Sequence, residues 1–316
     1  MRLTAALAWG GTTTDMRRHR GLFTAFGSVC AALLWIAAPS AVGQQATPGI
    51  ADVQYATSAA GAPLLLDLYL PSERKSAPLL VWLHGGAWER GSKRPMPLGA
   101  LVERGYAIAS VEFEPASAAP FPRQVHEIKA AIRFLRSADQ RYGYDASHIA
   151  VLGASSGGHL AALVGTTNGE SELEGALGEH LKESSAVQAI VSFFGASNLT
   201  TILAQSTPFG LRVRTPALQR LLGGLPDERP DAARLASPVF HVDARDPPLL
   251  LLHGDQDPQM PINQSHELVG AYESAGLQAP LVVVHGAGHG GAQFFDEQRL
   301  KIVAEFLDRA LGRVGS

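Results

Sequence analysis

Continuous apolar runs punctuate the chain at nearly regular intervals. "APLLLDLYL" (62–70), "APLLVWLHG" (77–85), "YAIASVEFE" (106–114), "HIAVLG" (148–153), "VQAIVSFFG" (187–195), "PPLLLLHGD" (247–255) and "APLVVVHGAG" (279–288) each read as a strand. Most do not alternate apolar with polar, as a strand with one wet face would. They are apolar on both sides, which argues for a mainly parallel sheet covered by helices on both faces. Between them the period changes to that of a helix. "FPRQVHEIKAAIRFLRSADQRYG" (121–143) places Val125, Ile128, Ile132 and Leu135 on one face and offers Gly143 as its stop. "SGGHLAALVGT" (156–166), "NQSHELVGAYESAG" (263–276) and "FDEQRLKIVAEFLDRALG" (295–312) complete the helices. From about Ile50 to Gly312 there is neither linker nor repeat, so one α/β domain over 44–316 is expected. The stretch 196–246 is the exception: long, rich in Pro and Leu, and without a clear strand. A segment of that length in a compact domain is read as a cap or pocket wall.

The N-terminus follows another pattern. From Met16 three arginines and a histidine precede an apolar run from Leu22 to Ala38, and Ala41 and Gly43 suit a cleavage site before Gln44. Residues 1–43 are therefore read as a secretory signal peptide, with Met16 as an alternative start, and the product as exported, periplasmic or secreted. The rival is an uncleaved membrane anchor. It is disfavoured because the run sits at the lower limit for spanning and ends in small residues, so no stable membrane insertion is expected after cleavage. The only cysteine, Cys30, falls inside this segment. The mature chain would have no disulfide and no cysteine nucleophile. A net charge of −3 without a basic stripe argues against a nucleic-acid partner.

Between the strand 148–153 and the helix 156–166 stands "GASSGG" (153–158). Gly153-Ala154-Ser155-Ser156-Gly157 matches G-x-S-x-G in the strand–turn–helix context that a nucleophile elbow requires, with Ser155 at the centre. A serine hydroxyl needs a base. In this fold the order is Ser, then Asp or Glu, then His. "HGDQDPQMP" (253–261) supplies Asp255 and Asp257; "HGAGHGG" (285–291) supplies His285 and His289. Both loops leave the carboxyl ends of strands, where open parallel sheets bind ligands. Asp255 is closer to its strand and is read as a turn cap, and His285 as a strand end. Asp257 and His289 are the expected acid and base. "LHGGAW" (83–88) supplies free backbone N–H groups, and Gly86, Ala87 and the N–H of Ser156 are expected to form an oxyanion hole, where each donor is worth about 3 kcal/mol. Trp88, Phe294 and Phe295 are expected to line the pocket. Each residue also has a plain structural use: glycines for tight packing, aspartates as caps, His84 as a loop brace, His159 as a core residue. Four motifs in the required order, each after a strand, outweigh those uses together. No H-E-x-x-H or paired metal-ligand spacing occurs, so neither metal nor cofactor is expected.

"HGGAWERGSKR", "FPRQVHEIKAAIRFLR", "GASSGGHLAALVG", "VQAIVSFFG", "DPPLLLLHGDQDPQMPINQS" and "GAGHGG" together resemble the α/β-hydrolases of the feruloyl and acetyl-xylan esterase type (BD-FAE-like). They are similar, more distantly, to hormone-sensitive-lipase-like esterases and arylformamidases. The resemblance implies an α/β-hydrolase fold, Ser155 as nucleophile, Asp257 as acid and His289 as base. Ala87 stands where the family often has a third glycine, Phe113-Glu114 replaces Tyr-Arg, Glu127 lies near the usual Asp, and Ala196-Ser197-Asn198 replaces Pro-Thr-Asp. These departures touch the pocket wall. The expected activity is hydrolysis of carboxylic esters, free or linked to a polysaccharide, through an acyl-enzyme. An amidase, peptidase or arylformamidase-like hydrolase on the same triad is the alternative. The alternative outside catalysis is a secreted binding protein with a relic triad.

Overall fold

The chain opens, in the computed structural model, with an antiparallel pair: β1 (Ile50–Thr57) and β2 (Pro63–Tyr69). The structure describes residues 46–72 and 77–313, so the leader read over 1–43, and Cys30 with it, lies outside the described residues. β3 (Pro78–Leu83), α1 (Gly99–Glu103), β4 (Ala107–Val111), α2 (Arg123–Ser137), α3 (Asp139–Tyr142), β5 (Asp145–Ala154), α4 (Ser156–Thr166) and α5 (Ser171–Glu174) follow. Then come β6 (Ala189–Phe193), α6 (Ile202–Gln205), α7 (Pro208–Leu222), α8 (Pro230–Leu235), β7 (Leu249–Gly254), α9 (Asn263–Ser274), β8 (Leu281–Val284) and α10 (Glu297–Ala310). The sheet order is β1-β2-β4-β3-β5-β6-β7-β8. From β4 to β8 every pair is parallel; β2 joins β4 antiparallel.

The apolar runs explain this architecture. On β3, Leu79, Val81 and Leu83 enter one core with α2 and α4, while Leu80 and Trp82 enter a second core with α10. Side chains alternate across a strand, so a strand buried on both faces must be apolar at every position. β3 meets that demand throughout, β5 over residues 149–154 and β7 over its four leucines, and each buried Leu or Val contributes about 2 kcal/mol. Gly143 ends α3 in the left-handed region (φ 79°), as its position after the helical pattern suggests.

Two elements depart from expectation. β1 has no apolar run: "IADVQYAT" lies at the sheet edge with only Tyr55 and Ala56 buried. The stretch 196–246 contains no strand, but it is helical, holding α6, α7, α8 and a 3₁₀ turn at Pro238–Phe240. Thr207 caps α7 by accepting from the Gly210 N–H at 3.0 Å, and Pro208 takes the first turn, where a missing N–H costs nothing. The cap packs on two loops at the carboxyl edge of the sheet. Thr207 Oγ donates to the Pro258 carbonyl at 2.6 Å, and Arg220 pairs with Glu89 at 2.8 Å. Among the described residues no helix is long and apolar enough to cross a membrane.

Candidate active site

At Ser155 the backbone takes φ 56° and ψ −119°, a conformation that L-residues rarely adopt. The surroundings hold it there. The Ser155 N–H donates to the Phe193 carbonyl at 2.8 Å, and α4 begins at the next residue. The turn needs glycine because its neighbours come so close. A Cβ on Gly157 would lie 2.2 Å from the Leu83 carbonyl oxygen, and one on Gly153 would lie 2.2 Å from that of Gly157. This packing draws the first turn of α4 onto the end of β3 and leaves the Ser155 hydroxyl at the carboxyl edge of the sheet.

The three expected residues meet there. Ser155 Oγ lies 2.8 Å from His289 Nε2, and His289 Nδ1 lies 2.7 Å from Asp257 Oδ2. With the carboxylate facing Nδ1, that nitrogen carries the proton and Nε2 is free to accept from the serine. The Asp257 side chain is fully buried. Burial alone would raise its carboxyl, but hydrogen bonds from His253 and His289 and from the backbone at Met260 outweigh that and hold it well below the usual carboxylate range. Asp257 Oδ1 accepts the Gln259 and Met260 N–H groups, each at 2.8 Å. Phe194 sets its ring edge against His289, centroids 5.1 Å apart. Asp255 belongs to a different pair: it binds His285 Nδ1 at 2.8 Å and the Gly286 N–H at 2.7 Å, tying the two loops together at the surface.

Residues 85–87 run past the elbow. A Cβ on Gly85 would lie 3.3 Å from that of Ser155. Gly86, Ala87 and Trp88 take φ of 131°, 56° and 61° in succession, and the Gly86 carbonyl closes the turn by accepting from Glu89 and Arg90. The N–H groups of Gly86 and Ala87 meet no acceptor among the described residues. Ser156 is the first residue of α4, where the N–H has no intrahelical partner. His84 braces this loop. Its Nδ1 donates to the Gly85 carbonyl at 2.8 Å, and its ring stacks on Phe113 at 4.3 Å. Phe113 thus works as a support.

The three aromatic residues expected at the pocket occupy deeper positions. Trp88 is 1% exposed, and its Nε1 donates to His159 Nδ1 at 3.1 Å. It also lines a cavity of about 240 Å³ on the side of His84, Phe113 and Pro115. Phe294 is fully buried against Phe194, and Phe295 packs on Phe193 and Trp82. Phe194 stands between Phe294 and His289, with its ring edge against each. Burial explains the shift: Trp88 enters the first core, and Phe294 and Phe295 enter or pack on the second.

Two side chains not singled out in the sequence also belong here. Arg214 of α7, 1% exposed, donates from Nε to the Gln259 carbonyl at 3.2 Å and lies over the Trp88 ring at 5.9 Å; burial lowers it to about 10. His253 at the end of β7 is fully buried behind Asp257. A charged residue in the middle of the Leu-rich cap helix and a histidine closing an all-leucine strand were the available signals. Among the family departures, Glu127 is buried under the β4–α2 loop and accepts the Glu114 N–H at 2.7 Å, and burial raises it to about 7. Asn198 donates to Glu267 at 2.6 Å.

The BD-FAE family model matches residues 66–272. The esterase LipC of Mycobacterium tuberculosis is 31% identical over 236 residues, 72% of this chain and 56% of that protein. Among solved structures, a truncated carbohydrate esterase from gut microbiota superposes with a TM-score of 0.76 at 32% identity, covering 85% of this chain and 97% of that one. An esterase of Thermogutta terrifontis with propionate bound gives 0.67 at 26% identity, covering 83% and 94%. The fold these share is the α/β-hydrolase fold.

Proposed function

The chain belongs to the BD-FAE family, and on that premise we propose that it is an exported serine hydrolase of carboxylic esters. The observation that carries the reading is the unbroken path from Ser155 through His289 to Asp257, at 2.8 and 2.7 Å, on the edge of the sheet where the elbow presents its serine.

In this reading Ser155 Oγ attacks the acyl carbon while His289 Nε2 takes its proton. Asp257 keeps Nδ1 protonated and stabilises the imidazolium as it forms. The carbonyl oxygen becomes an oxyanion held by the N–H groups of Gly86, Ala87 and Ser156, which are fixed before the reaction begins. The imidazolium then protonates the departing alkoxide. Water enters, His289 takes a proton from it, and the acyl-enzyme is hydrolysed to acid and free Ser155. The two serines divide the work: Ser155 acts through its oxygen, Ser156 through its backbone.

The substrate proposed is a short-chain acyl ester, free or carried on a carbohydrate. The propionate bound to the Thermogutta relative and the carbohydrate esterase among the solved structures support that class. The charged and then apolar leader supports export.

A fluorophosphonate probe and p-nitrophenyl acetate test the proposal together. Wild type is labelled and turns the ester over; Ser155→Ala does neither; Ser156→Ala, which keeps its N–H, is still labelled. Labelling of Ser155→Ala would refute the nucleophile. Turnover of an aminoacyl p-nitroanilide without turnover of the ester would replace the esterase reading by an amidase.

A further inference from the structure

The strand β7 reads "LLLLHG", and its one polar side chain, His253, is fully buried. An imidazole so placed has to find partners for both nitrogens. Nε2 lies 3.0 Å from the Met260 carbonyl and 3.5 Å from Asp257 Oδ2. Both are acceptors, so Nε2 carries a proton. Nδ1 lies 2.7 Å from the hydroxyl of Ser265 in α9, itself 1% exposed. In the neutral ring Nδ1 then accepts from that hydroxyl. The two contacts fix both tautomer and orientation.

Asp257 is therefore held from every side. Its Oδ1 takes two backbone N–H groups, and its Oδ2 faces His289 on one side and His253 on the other. His253 also grips the loop itself, because Met260, whose N–H binds Oδ1, gives its carbonyl to the same imidazole. The other charged groups at this loop are Asp255, paired with His285 at the surface, and Arg214, which holds the Gln259 carbonyl from the cap. Without the Nε2–H, Oδ2 would lose the positive ring edge that faces it at 3.5 Å, and the loop would lose its bond from the Met260 carbonyl to β7, keeping only the longer one from the Asp257 N–H to the Gly254 carbonyl at 3.4 Å.

We propose that His253, oriented by Ser265, is a positioning residue for the acid: its Nε2–H fixes the Asp257 carboxylate and so aims His289 at Ser155. This rests on the serine-hydrolase reading. His253 touches neither substrate nor the reacting atoms. It acts by keeping the carboxylate at the angle His289 needs and by moderating its basicity. The direction follows from electrostatics. A carboxylate relieved of a donor becomes a better partner for an imidazolium, so the general base holds its proton more tightly.

His253→Met and His253→Gln form the decisive pair, since the two side chains match in length and only Gln carries a terminal donor. In p-nitrophenyl acetate hydrolysis, His253→Met should lower kcat about tenfold, as expected for a lost hydrogen bond to a charged group. KM should stay within about twofold, and the acid limb of the kcat profile should move to higher pH. His253→Gln should recover most of the kcat and return the limb. Ser265→Ala leaves the imidazole in place and should move the limb the same way by a smaller amount. It decides the matter if His253→Met fails to fold, which thermal melting and fluorophosphonate titration would reveal. A folded His253→Met with the wild-type limb, a His253→Gln as impaired as Met, or, where Met does not fold, an unmoved limb in Ser265→Ala overturns the proposal. The serine-hydrolase reading fails separately, through an inactive wild type or an active Ser155→Ala.

Discussion

Acidification should weaken the native state through one residue on the elbow helix. His159 of α4 is fully buried, with Nδ1 accepting from Trp88 Nε1 at 3.1 Å and Nε2 donating to the Ala236 carbonyl at 2.6 Å. Burial lowers it from 6.5 to about 4. The unfolded chain therefore binds the proton first as the pH falls. The stability this group confers is whole above about 6.5 and is lost as the pH descends towards 4. At about 1.4 kcal/mol per pH unit the gap is worth about 3 kcal/mol between pH 8 and pH 4. Because no part of the ring reaches solvent, screening does not reduce it. Glu127 and Asp246, which burial raises to about 7, work in the opposite direction over the same range, so wild type alone would blur the effect. Comparison with His159→Asn removes them. The Asn oxygen can still accept from Trp88, but the Ala236 carbonyl loses its donor, a cost of about 1–3 kcal/mol at pH 8. Urea unfolding at both pH values should find wild type more stable than His159→Asn at pH 8 and the gap closed or reversed by about 3 kcal/mol at pH 4. A gap equal at the two values would refute the account of His159 as a neutral, buried acceptor. The location gives the loss a catalytic consequence, since a protonated Nδ1 can no longer accept from Trp88, the residue after Ala87.

Gly86→Ala should lower kcat by about 10²-fold with little change in KM: a Cβ there would lie 1.8 Å from the Arg90 carbonyl oxygen, so the turn carrying two proposed oxyanion donors must move. Steady-state kinetics on p-nitrophenyl acetate check this, and a rise in KM alone would contradict it. Asp246→Asn should stabilise the protein more at pH 8 than at pH 5, because burial raises Asp246 from 3.8 to about 7, so the unfolded chain gives up its proton first and the fold weakens as the pH rises through that window. Thermal melting at the two pH values measures the difference, and the reverse order would be inconsistent with a half-buried carboxyl.

What the sequence reveals depends on how local each demand is. A strand of a parallel sheet covered on both faces must be apolar at every position, and that requirement is written wholly within six residues such as Pro78–Leu83. β1 faces no such demand. It pairs on one edge only, keeps two buried residues, and left no run to detect. The cap hid for another reason. Five prolines, Pro208, Pro216, Pro226, Pro230 and Pro238, suggest broken structure, yet Pro208, Pro230 and Pro238 stand in the first turn of a helix or 3₁₀ turn, where proline is welcome. Thr207 before Pro208 was the readable start signal.

The same distinction separates the candidate catalytic residues from those that hold them. Ser155, Asp257 and His289 stand in loops whose small neighbours and chain order advertise them, because an elbow needs glycine at fixed offsets and each loop must follow a strand. The supporting residues answer to partners far along the chain: Trp88 to His159, His159 to Ala236, Arg214 to Gln259. No local rule links such pairs. Trp88, Phe294 and Phe295 stand close in sequence to Ala87 and His289, but a large ring next to a buried sheet lowers the free energy most by entering the core, as Trp88 and Phe294 do. His253 lies between the two cases. A histidine after four leucines is a local anomaly, and a buried polar group on an apolar strand must be paying its desolvation through partners supplied by the loop that follows. Read by that rule, the strand end points to Asp257 more directly than the loop does.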